Sequence, residues 1–191
     1  MYDLLLANIA KYITLTQEET DYLISLLHTK KIKRKRYLQQ EGDTTRHTSF
    51  VISGILRMYS VDKNGFEHII QFATPGWWIG DFQSFLQQKP GNLFIDAIDD
   101  SEIIQLSKTD LDNLFIKVPK FERFFRILAE NAVAAYQQRF VNSLSLSARE
   151  RYQNFAELYP SLVQCLSQKF IASYIGVTPE FLSKMLNQQM Q

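Results

Sequence analysis

Glycine placement is the feature of this sequence that most constrains its fold. Six of the seven glycines lie at positions 42, 54, 65, 76, 80 and 91, and the seventh is Gly176. Turn residues at intervals of about 11 positions separate short apolar runs, a pattern typical of antiparallel sandwiches and barrels. The spacing predicts that residues 38–107 are mostly β-strand, with a hairpin loop at residues 62–65 in which Asn-Gly favours positive φ.

Beyond residue 107 the apolar residues recur with a helical period. Ser107 predicts a capped helix start, and Val118-Pro119 predicts an interruption. A long helix is then predicted from Lys120 to about Asn142, because this segment contains neither glycine nor proline. Ser147 predicts the cap of a further helix, which Tyr159-Pro160 would end.

Two neighbouring apolar stripes run along the predicted long helix. One comprises Phe121, Phe124, Leu128 and Ala135, and the other comprises Phe125, Ala129, Ala132, Tyr136 and Phe140. Either one broad face packs on the β region, or one stripe packs within the chain while the other contacts a second copy. We expect the first stripe to form the dimer contact.

Composition excludes several classes of protein. With 46% apolar and 21% charged residues, the chain is too apolar for disorder and too mixed for a membrane protein. Asp3 argues against a signal peptide, so we expect a cytoplasmic location and no membrane partner. The single cysteine, Cys165, and three well-separated histidines leave little for a metal site. We find no nucleophile–base pair or phosphate loop, and we therefore expect no enzymatic activity.

Positive charge is concentrated in one short run. Six of the seven residues 30–36 are basic, whereas the whole chain carries a net charge of only +1. The run suggests nucleic-acid binding, but its position at the start of the β region favours a solvated strand face. Any binding of nucleic acid must therefore come from a local surface rather than from a global field.

Residues 167–186 are the most informative segment of the chain. Ser167 predicts the cap of a short helix, and Gly176 predicts its left-handed end. Thr178-Pro179 then opens a second helix with an N-cap and an N1 proline. Ala172 is small enough for the two helices to cross closely, so we interpret the segment as a helix-turn-helix rather than another helical pair with a glycine corner.

The first turns of the second helix in such a motif enter the major groove of DNA. Candidates for base contacts are Thr178, Pro179, Glu180, Ser183 and Lys184, and candidates for phosphate contacts are Ser167, Gln168 and Lys169. Glu180 can accept from a cytosine amino group, and Lys184 can donate to guanine. Solvated side chains with no contact are the alternative, and the sequence leaves it open.

A glycine-punctuated β region, a long helix and a C-terminal helix-turn-helix resemble the Crp/Fnr family of bacterial transcription regulators. The matching segments are residues 41–43, 50–54, 62–67, 75–81 and the helix-turn-helix. The resemblance implies an α+β fold with an antiparallel, cyclic-nucleotide-binding-like β-roll over residues 1–118, a dimerisation helix over 119–146 and a DNA-binding domain over 147–191. It also implies a homodimer on palindromic double-stranded DNA, with RNA polymerase as a candidate partner.

The ligand cassette departs from the family pattern. Cyclic-nucleotide-binding members have Gly-Glu followed by Arg-Ser/Thr-Ala, whose arginine meets the cyclic phosphate. Here Gly80-Asp81 stands for the first half, and Gly91 lies near the arginine position. Lys89 is poorly shaped to replace a bidentate arginine, so we expect no cofactor and no response to cAMP. A pocket for another effector would use Trp78, Gly80, Asp81, Phe82, Tyr136 and Gln137; core filling by the aromatic residues is the alternative.

Two other departures bear on function. Few residues follow Leu186, so we expect no two-stranded wing and weaker binding per DNA half-site, and the single cysteine argues against the oxygen-sensing branch of the family. Residues 148–191 contain four basic and three acidic side chains. Because this positive charge is modest, a second class of protein stays an alternative. It is a ligand-sensing or scaffold protein whose helix-turn-helix contacts protein rather than DNA.

Overall fold

The computed structural model describes residues 2–188. Within this range, helices α1 (Asp3–Ala10) and α2 (Gln17–Ser25) precede eight strands and the short helix α3 (Phe82–Gln87). The strands are β1 (His28–Ile32), β2 (Tyr37–Gln39), β3 (His47–Ser53), β4 (Leu56–Val61), β5 (Glu67–Ala73), β6 (Trp78–Ile79), β7 (Phe94–Ala97) and β8 (Ser101–Ser107). The later helices are α4 (Lys108–Lys117), α5 (Lys120–Ser145), α6 (Ala148–Leu158), α7 (Pro160–Cys165), α8 (Gln168–Ile175) and α9 (Pro179–Asn187).

The strands form two four-stranded sheets, with the orders β1-β8-β3-β6 and β2-β7-β4-β5. The central strand β8 pairs antiparallel with β1, where His28 lies opposite Gln105, and with β3, where Phe50 lies opposite Ile104. Strand β7 likewise pairs antiparallel with β2 and with β4. The α+β class with an antiparallel β region is therefore confirmed.

Two glycine turns show why the chain reverses where it does. Gly54 joins β3 to β4 with φ +82°, and a side chain there would collide with the carbonyl of Asp100 and with Ser101. In the β4–β5 loop, the Gly65 N–H donates to the Asp62 carbonyl over 3.0 Å, and φ at Gly65 is +81°. Asn64 is not among the residues with positive φ, so the left-handed position of the Asn-Gly pair belongs to the glycine alone.

Side chains that alternate between the two faces of each strand build two apolar clusters. Neighbouring residues of a strand face opposite sides of the sheet, so Val51 and Ile103 join one cluster while Phe50 and Ile104 join another. The first cluster combines residues of both sheets. The second is completed by helical residues, which are Leu5, Ile9, Leu23, Phe85, Leu111, Leu114, Phe121 and Phe124.

The predicted helix boundaries after the β region are confirmed. The Ser107 hydroxyl accepts from the Asp110 N–H over 3.0 Å and caps α4. Helix α4 ends at Lys117, directly before Val118-Pro119, and α5 then runs from Lys120 to Ser145. The hydroxyl of Ser147 caps α6 as part of a capping box with Glu150.

The expected dimer stripe on α5 needs a correction at its first two positions. Phe121 and Phe124 are 1% and 0% exposed, and their rings contact each other with centroids 6.2 Å apart. Leu128 is half-buried and packs against the same cluster. Two residues this deeply buried in their own chain cannot also contact a partner, so only Ala135 of the expected stripe is fully exposed.

The chain divides into two compact units. The first comprises the chain up to Ser60 together with Ile70–Glu130, and the second comprises Val61–Ile69 together with the chain from Asn131 onward. The division falls inside α5, so the long helix is not a unit by itself, unlike the expected segment 119–146. The tip of the β4–β5 hairpin belongs to the unit that contains the C-terminal helices.

Membrane-spanning helices and metal clusters are both absent from the described part of the chain. None of the helices within residues 2–188 is long and apolar enough to cross a membrane. In the same range, no group of three or more His, Cys, Asp or Glu side chains is placed to hold a metal ion. Cys165 is exposed on α7.

Candidate nucleic-acid interface

Helices α8 and α9 are joined by a tight corner at Gly176. Gly176 has φ +74°, which ends α8 in the left-handed conformation that glycine adopts without strain. Its N–H and that of Val177 both turn back to the carbonyl of Ala172. The hydroxyl of Thr178 then accepts from the Phe181 N–H over 3.2 Å and caps α9, with Pro179 as its first residue. The local geometry of the predicted helix-turn-helix is therefore present.

Apolar side chains hold the two helices together. Ala172 and Leu182 are completely buried, and Ile171, Ile175 and Met185 are nearly so. A side chain larger than Ala172 would push α9 away, because cores are packed too tightly to accept added volume without strain. The buried face of α9 thereby determines which of its side chains face outward.

The outward face of α9 carries most of the predicted base-contacting residues. Thr178, Pro179, Glu180 and Lys184 are exposed, whereas Ser183 is half-buried. Sequence reasoning missed one member of this face, Phe181, which is also exposed. The helical period would have identified it, since it lies three residues before Lys184 and therefore on the same face.

The start of α8 presents the residues predicted to contact phosphates. Ser167, Gln168 and Lys169 are all exposed there. Ser167 occupies the N-cap position with extended backbone, but its side chain makes no capping hydrogen bond, contrary to prediction. Its hydroxyl can therefore turn outward, beside the backbone N–H groups of the first helical turn, which attract anions.

Arg151 of α6 fixes the corner of the motif from behind. Its Nε donates to the carbonyl of Ile175 over 2.8 Å, and a terminal guanidinium nitrogen donates to the carbonyl of Leu146 over 2.8 Å. Ile175 is the last residue of α8, and Leu146 directly follows α5. Carbonyl groups at helix ends lack intrahelical partners, so the one side chain of Arg151 satisfies such groups at two helices. The orientation of α8 is therefore tied to the junction between α5 and α6.

Ser173 of α8 binds the edge of strand β5 at the hairpin tip. Its hydroxyl donates to the carbonyl of Glu67 over 2.6 Å and accepts from the N–H of Ile69 over 3.0 Å. Because β5 is an edge strand of its sheet, these backbone groups have no neighbouring strand on that side. The side chain pairs with them as a neighbouring strand would. Nothing in the sequence near Ser173 indicates this contact, whose partners lie 106 positions apart.

Strand β5 receives a second covering side chain, Arg139 of α5. One guanidinium nitrogen donates to the carbonyls of Ile69 and Tyr174, over 2.6 and 2.8 Å. The guanidinium also stacks on the Tyr174 ring, with 3.9 Å between Cζ and the ring centroid. Burial lowers the pKa of Arg139 and raises the pKa of Tyr174. Ser173 and Arg139 together hold the hairpin tip against the first helix of the motif.

The cassette that would bind a cyclic nucleotide is filled by its own residues. Asp81 is buried and caps α3, where its carboxylate accepts from the Ser84 N–H over 3.0 Å. A side chain at Gly91 would collide with the other carboxylate oxygen of Asp81. The Ser84 hydroxyl donates to the carbonyl of Lys89 over 2.5 Å, which draws the loop closed.

Little space remains in this cassette. The cleft lined by residues 81–92 has a volume of about 50 Å³, compared with the roughly 300 Å³ or more of typical ligand pockets. Lys89 is the one cationic residue among the described residues that line it, and the carboxylate of Asp81 faces the same space. A cyclic phosphate would meet a negative charge here, so the residues present do not fit a cyclic nucleotide.

The other residues expected to line an effector pocket are divided between the two compact units. The ring of Trp78 packs against Phe50 and Phe125, with centroids 5.2 and 5.4 Å apart, which confirms the alternative of core filling. Phe82, by contrast, is 61% exposed. Gly80 precedes the helix cap, whereas Tyr136 and Gln137 belong to the second compact unit.

The basic run lies on an edge strand and the turn after it. Lys30 and Lys31 are exposed on β1, and Lys33 pairs with Asp100 over 2.7 Å. Charged side chains on an edge strand discourage pairing with other chains. The placement agrees with the interpretation of a solvated strand face.

The second half of α5 exposes an apolar face. Phe140 is 65% exposed, and Val133, Tyr136 and Leu144 are exposed as well. Residues 131–147 contain no charge other than Arg139, whose side chain is engaged within its own chain. A helix face without charge and with large apolar side chains marks a surface for association.

Comparisons with known proteins agree with this architecture. A profile for the cyclic nucleotide-binding domain matches residues 29–117. The regulatory protein HlyX of Actinobacillus pleuropneumoniae is 25% identical over 185 residues, covering 91% of this chain and 76% of its own. The fumarate and nitrate reduction regulatory protein of Vibrio cholerae is 26% identical over 187 residues, covering 91% and 73%.

Solved structures share the fold at low identity. The c-di-GMP-responsive global regulator CLP of Xanthomonas campestris superposes with a TM-score of 0.75 at 13% identity, covering 92% of each chain. FixK2 of Bradyrhizobium japonicum has a TM-score of 0.71 at 17% identity, covering 85% and 83%. The fold is thus a cyclic-nucleotide-binding-like domain followed by a helix-turn-helix. Over 91% of its length the chain is similar to bacterial regulatory proteins, and its residues 29–117 match the cyclic nucleotide-binding domain.

Proposed function

We propose that this chain is a transcription regulator of the Crp/Fnr family, a homodimer that binds a palindromic operator in double-stranded DNA and does not respond to cAMP. The observation that carries the proposal is the geometry of α8 and α9. The two helices pack together through buried apolar side chains, and each exposes polar or charged residues in its first turn. We expect a bacterial protein that acts on DNA in this way to work in the cytoplasm. RNA polymerase stays a predicted partner, on the basis of the family resemblance.

The exposed residues divide by chemistry into two groups. Glu180 in the first turn of α9 and Lys184 in its last turn present one acceptor and one donor on the outward face of the helix, and base edges in the major groove offer the matching groups. Ser167 and Lys169 lie at the start of α8, where contacts to phosphates orient a protein without reading sequence. This division supports specific binding by α9 and positioning by α8.

The exposed face of α5 beyond residue 131 supports the homodimer. A second copy offers the same uncharged apolar face, and an isologous contact pairs this face with itself, so that no complementary charges are required. Phe140 and Leu144, one helical turn apart, would lie at this contact together with Tyr136. The dimer proposed here therefore uses a different part of α5 from the buried residues Phe121 and Phe124.

The filled cassette supports independence from cAMP. Asp81 occupies the space beside Gly91, and a buried phosphate without an arginine partner would lack the charge-assisted hydrogen bonds that compensate its loss of hydration. Binding of a cyclic nucleotide would require Asp81 to leave the N-cap of α3.

A salt series on DNA binding tests the proposal against the alternative of a protein-binding helix-turn-helix. Affinity for a selected duplex should fall linearly in log–log form as salt rises, because bound phosphates release counterions. Replacing Lys169 with Ala should make the slope shallower by about one for each phosphate that the lysine neutralises. Lys31→Ala, on the exposed strand β1, is the matched control and should leave the slope unchanged.

Two results would contradict this function. Random duplex DNA from which the protein enriches no sequence would exclude sequence-specific binding. Equal slopes for wild type, Lys169→Ala and Lys31→Ala would exclude the assigned role of α8 in contacting phosphates.

A further inference from the structure

Phe181 is the one large apolar side chain that α9 exposes among the residues described. It is 52% exposed, whereas the next residue, Leu182, is completely buried. Glu180 precedes it, and Lys184 follows one helical turn later on the same outward face. An aromatic ring thus lies between an acceptor and a donor on the surface proposed to contact bases.

The backbone of Phe181 is held by the start of the helix. The Phe181 N–H donates to the hydroxyl of Thr178, the residue that caps α9. Pro179 further restricts the backbone of the first turn, since its ring holds φ near −65°. Phe181 therefore lies in the first turns of the helix, the part that enters the groove in helix-turn-helix complexes.

The major groove offers few partners for an apolar ring. Its base edges present hydrogen-bond donors and acceptors, and the C5-methyl group of thymine is the apolar group among them. Stacking between bases is closed to a side chain in an undistorted duplex, and apolar wedges act mainly from the minor groove. We infer that Phe181 packs on a thymine methyl group and determines specificity at that base pair; this rests on the DNA-binding function proposed above.

Replacing thymine by deoxyuridine tests the inference directly, because it removes the methyl group and preserves base pairing. An operator is first selected from random duplex DNA with the wild-type protein. Each thymine is then replaced by deoxyuridine, symmetrically in both half-sites, and affinities are measured for wild type, Phe181→Ala and the control Leu158→Ala. Leu158 is a comparably exposed apolar residue on α6.

Deoxyuridine at one thymine position of each half-site should weaken wild-type binding roughly fourfold per half-site, or about sixteenfold for the symmetric operator, since burying one such carbon contributes ~0.8 kcal/mol. Phe181→Ala should bind thymine and deoxyuridine equally at that position, whereas Leu158→Ala should behave as wild type. Phe181→Leu, which keeps an apolar side chain, should retain part of the preference and serves if the alanine variant binds too weakly to measure.

Other outcomes overturn the inference in distinguishable ways. A selected half-site without thymine, or equal deoxyuridine penalties in wild type and both Phe181 variants, removes the role of Phe181 while DNA binding stands. If the wild type selects no sequence at all, the proposed function fails and the inference fails with it.

Discussion

Arg139 of α5 donates to the carbonyl of Tyr174 in α8 and stacks on the ring of the same residue. Through a second hydrogen bond to Ile69, the same guanidinium binds the tip of the β4–β5 hairpin. Three segments far apart in the sequence thus meet at one side chain, and one of them is the first helix of the helix-turn-helix. The position of that helix depends on a residue of the long helix.

Replacing Arg139 with Met should destabilise the protein. The change keeps much of the apolar stem but leaves two carbonyls without their charged donor, and hydrogen bonds to charged groups contribute roughly 1.5–3 kcal/mol each. Urea unfolding measures the decrease in stability. Arg126→Met, which removes an exposed arginine paired with Glu130 on the same helix, should change stability by less than about 1 kcal/mol. Equal decreases in both variants would contradict the role assigned to Arg139.

Replacing Phe140 with Glu should convert the proposed dimer into a monomer. Association would bury the added carboxylate in an apolar contact, at a cost of several kcal/mol. Sedimentation at micromolar concentration measures the change. Leu128 is unsuitable for this test, because it packs against the core of its own chain. Leu158→Glu, at a residue 70% exposed on α6, should remain dimeric; a dimeric Phe140→Glu protein would place the contact elsewhere.

Adding cAMP should leave the melting temperature unchanged. A ligand present at a hundred times its dissociation constant would add about 2.7 kcal/mol of stability, which produces a shift of several degrees. Gly91→Ala should itself lower stability by about 1–3 kcal/mol, because the new methyl group collides with Asp81. An upward shift with cAMP, or an Ala variant as stable as wild type, would show that the cassette is open.

Replacing Lys184 with Ala should alter base preference at one position of the operator. If Lys184 donates to a guanine, about 1–3 kcal/mol of discrimination disappears at that base pair alone. Affinities across a set of operators with single base changes measure the pattern. A uniform decrease over all operators would instead assign Lys184 to a phosphate.

Helix boundaries and turns could be predicted from the sequence because short-range interactions decide them. Ser107, Ser147 and Thr178 each cap a helix by accepting from an N–H group three residues away, and Gly176 adopts a φ that a side chain would strain. Ser167 is the exception, since its cap position is occupied without the predicted hydrogen bond.

Partners across the fold could not be predicted in this way. An apolar stripe on a helix predicts that its residues are buried, but not which segment buries them. The stripe pattern assigns Phe121 and Phe124 to a contact with a second copy, whereas the core of their own chain buries them. Arg57 and Asp96 similarly form a buried ion pair, with Nε and Oδ1 2.8 Å apart, across two strands.

The sequence by itself therefore determined the order of the elements, their boundaries and most of the outward residues of the helix-turn-helix. The tertiary structure alone decided that Asp81 fills the cassette beside Gly91, that Phe140 rather than Phe124 is exposed, and that Arg139 joins the hairpin tip to α8. Local conformation depends on neighbours within one helical turn. Burial and hydrogen bonding depend on which distant segments meet, and only the folded chain brings those segments together.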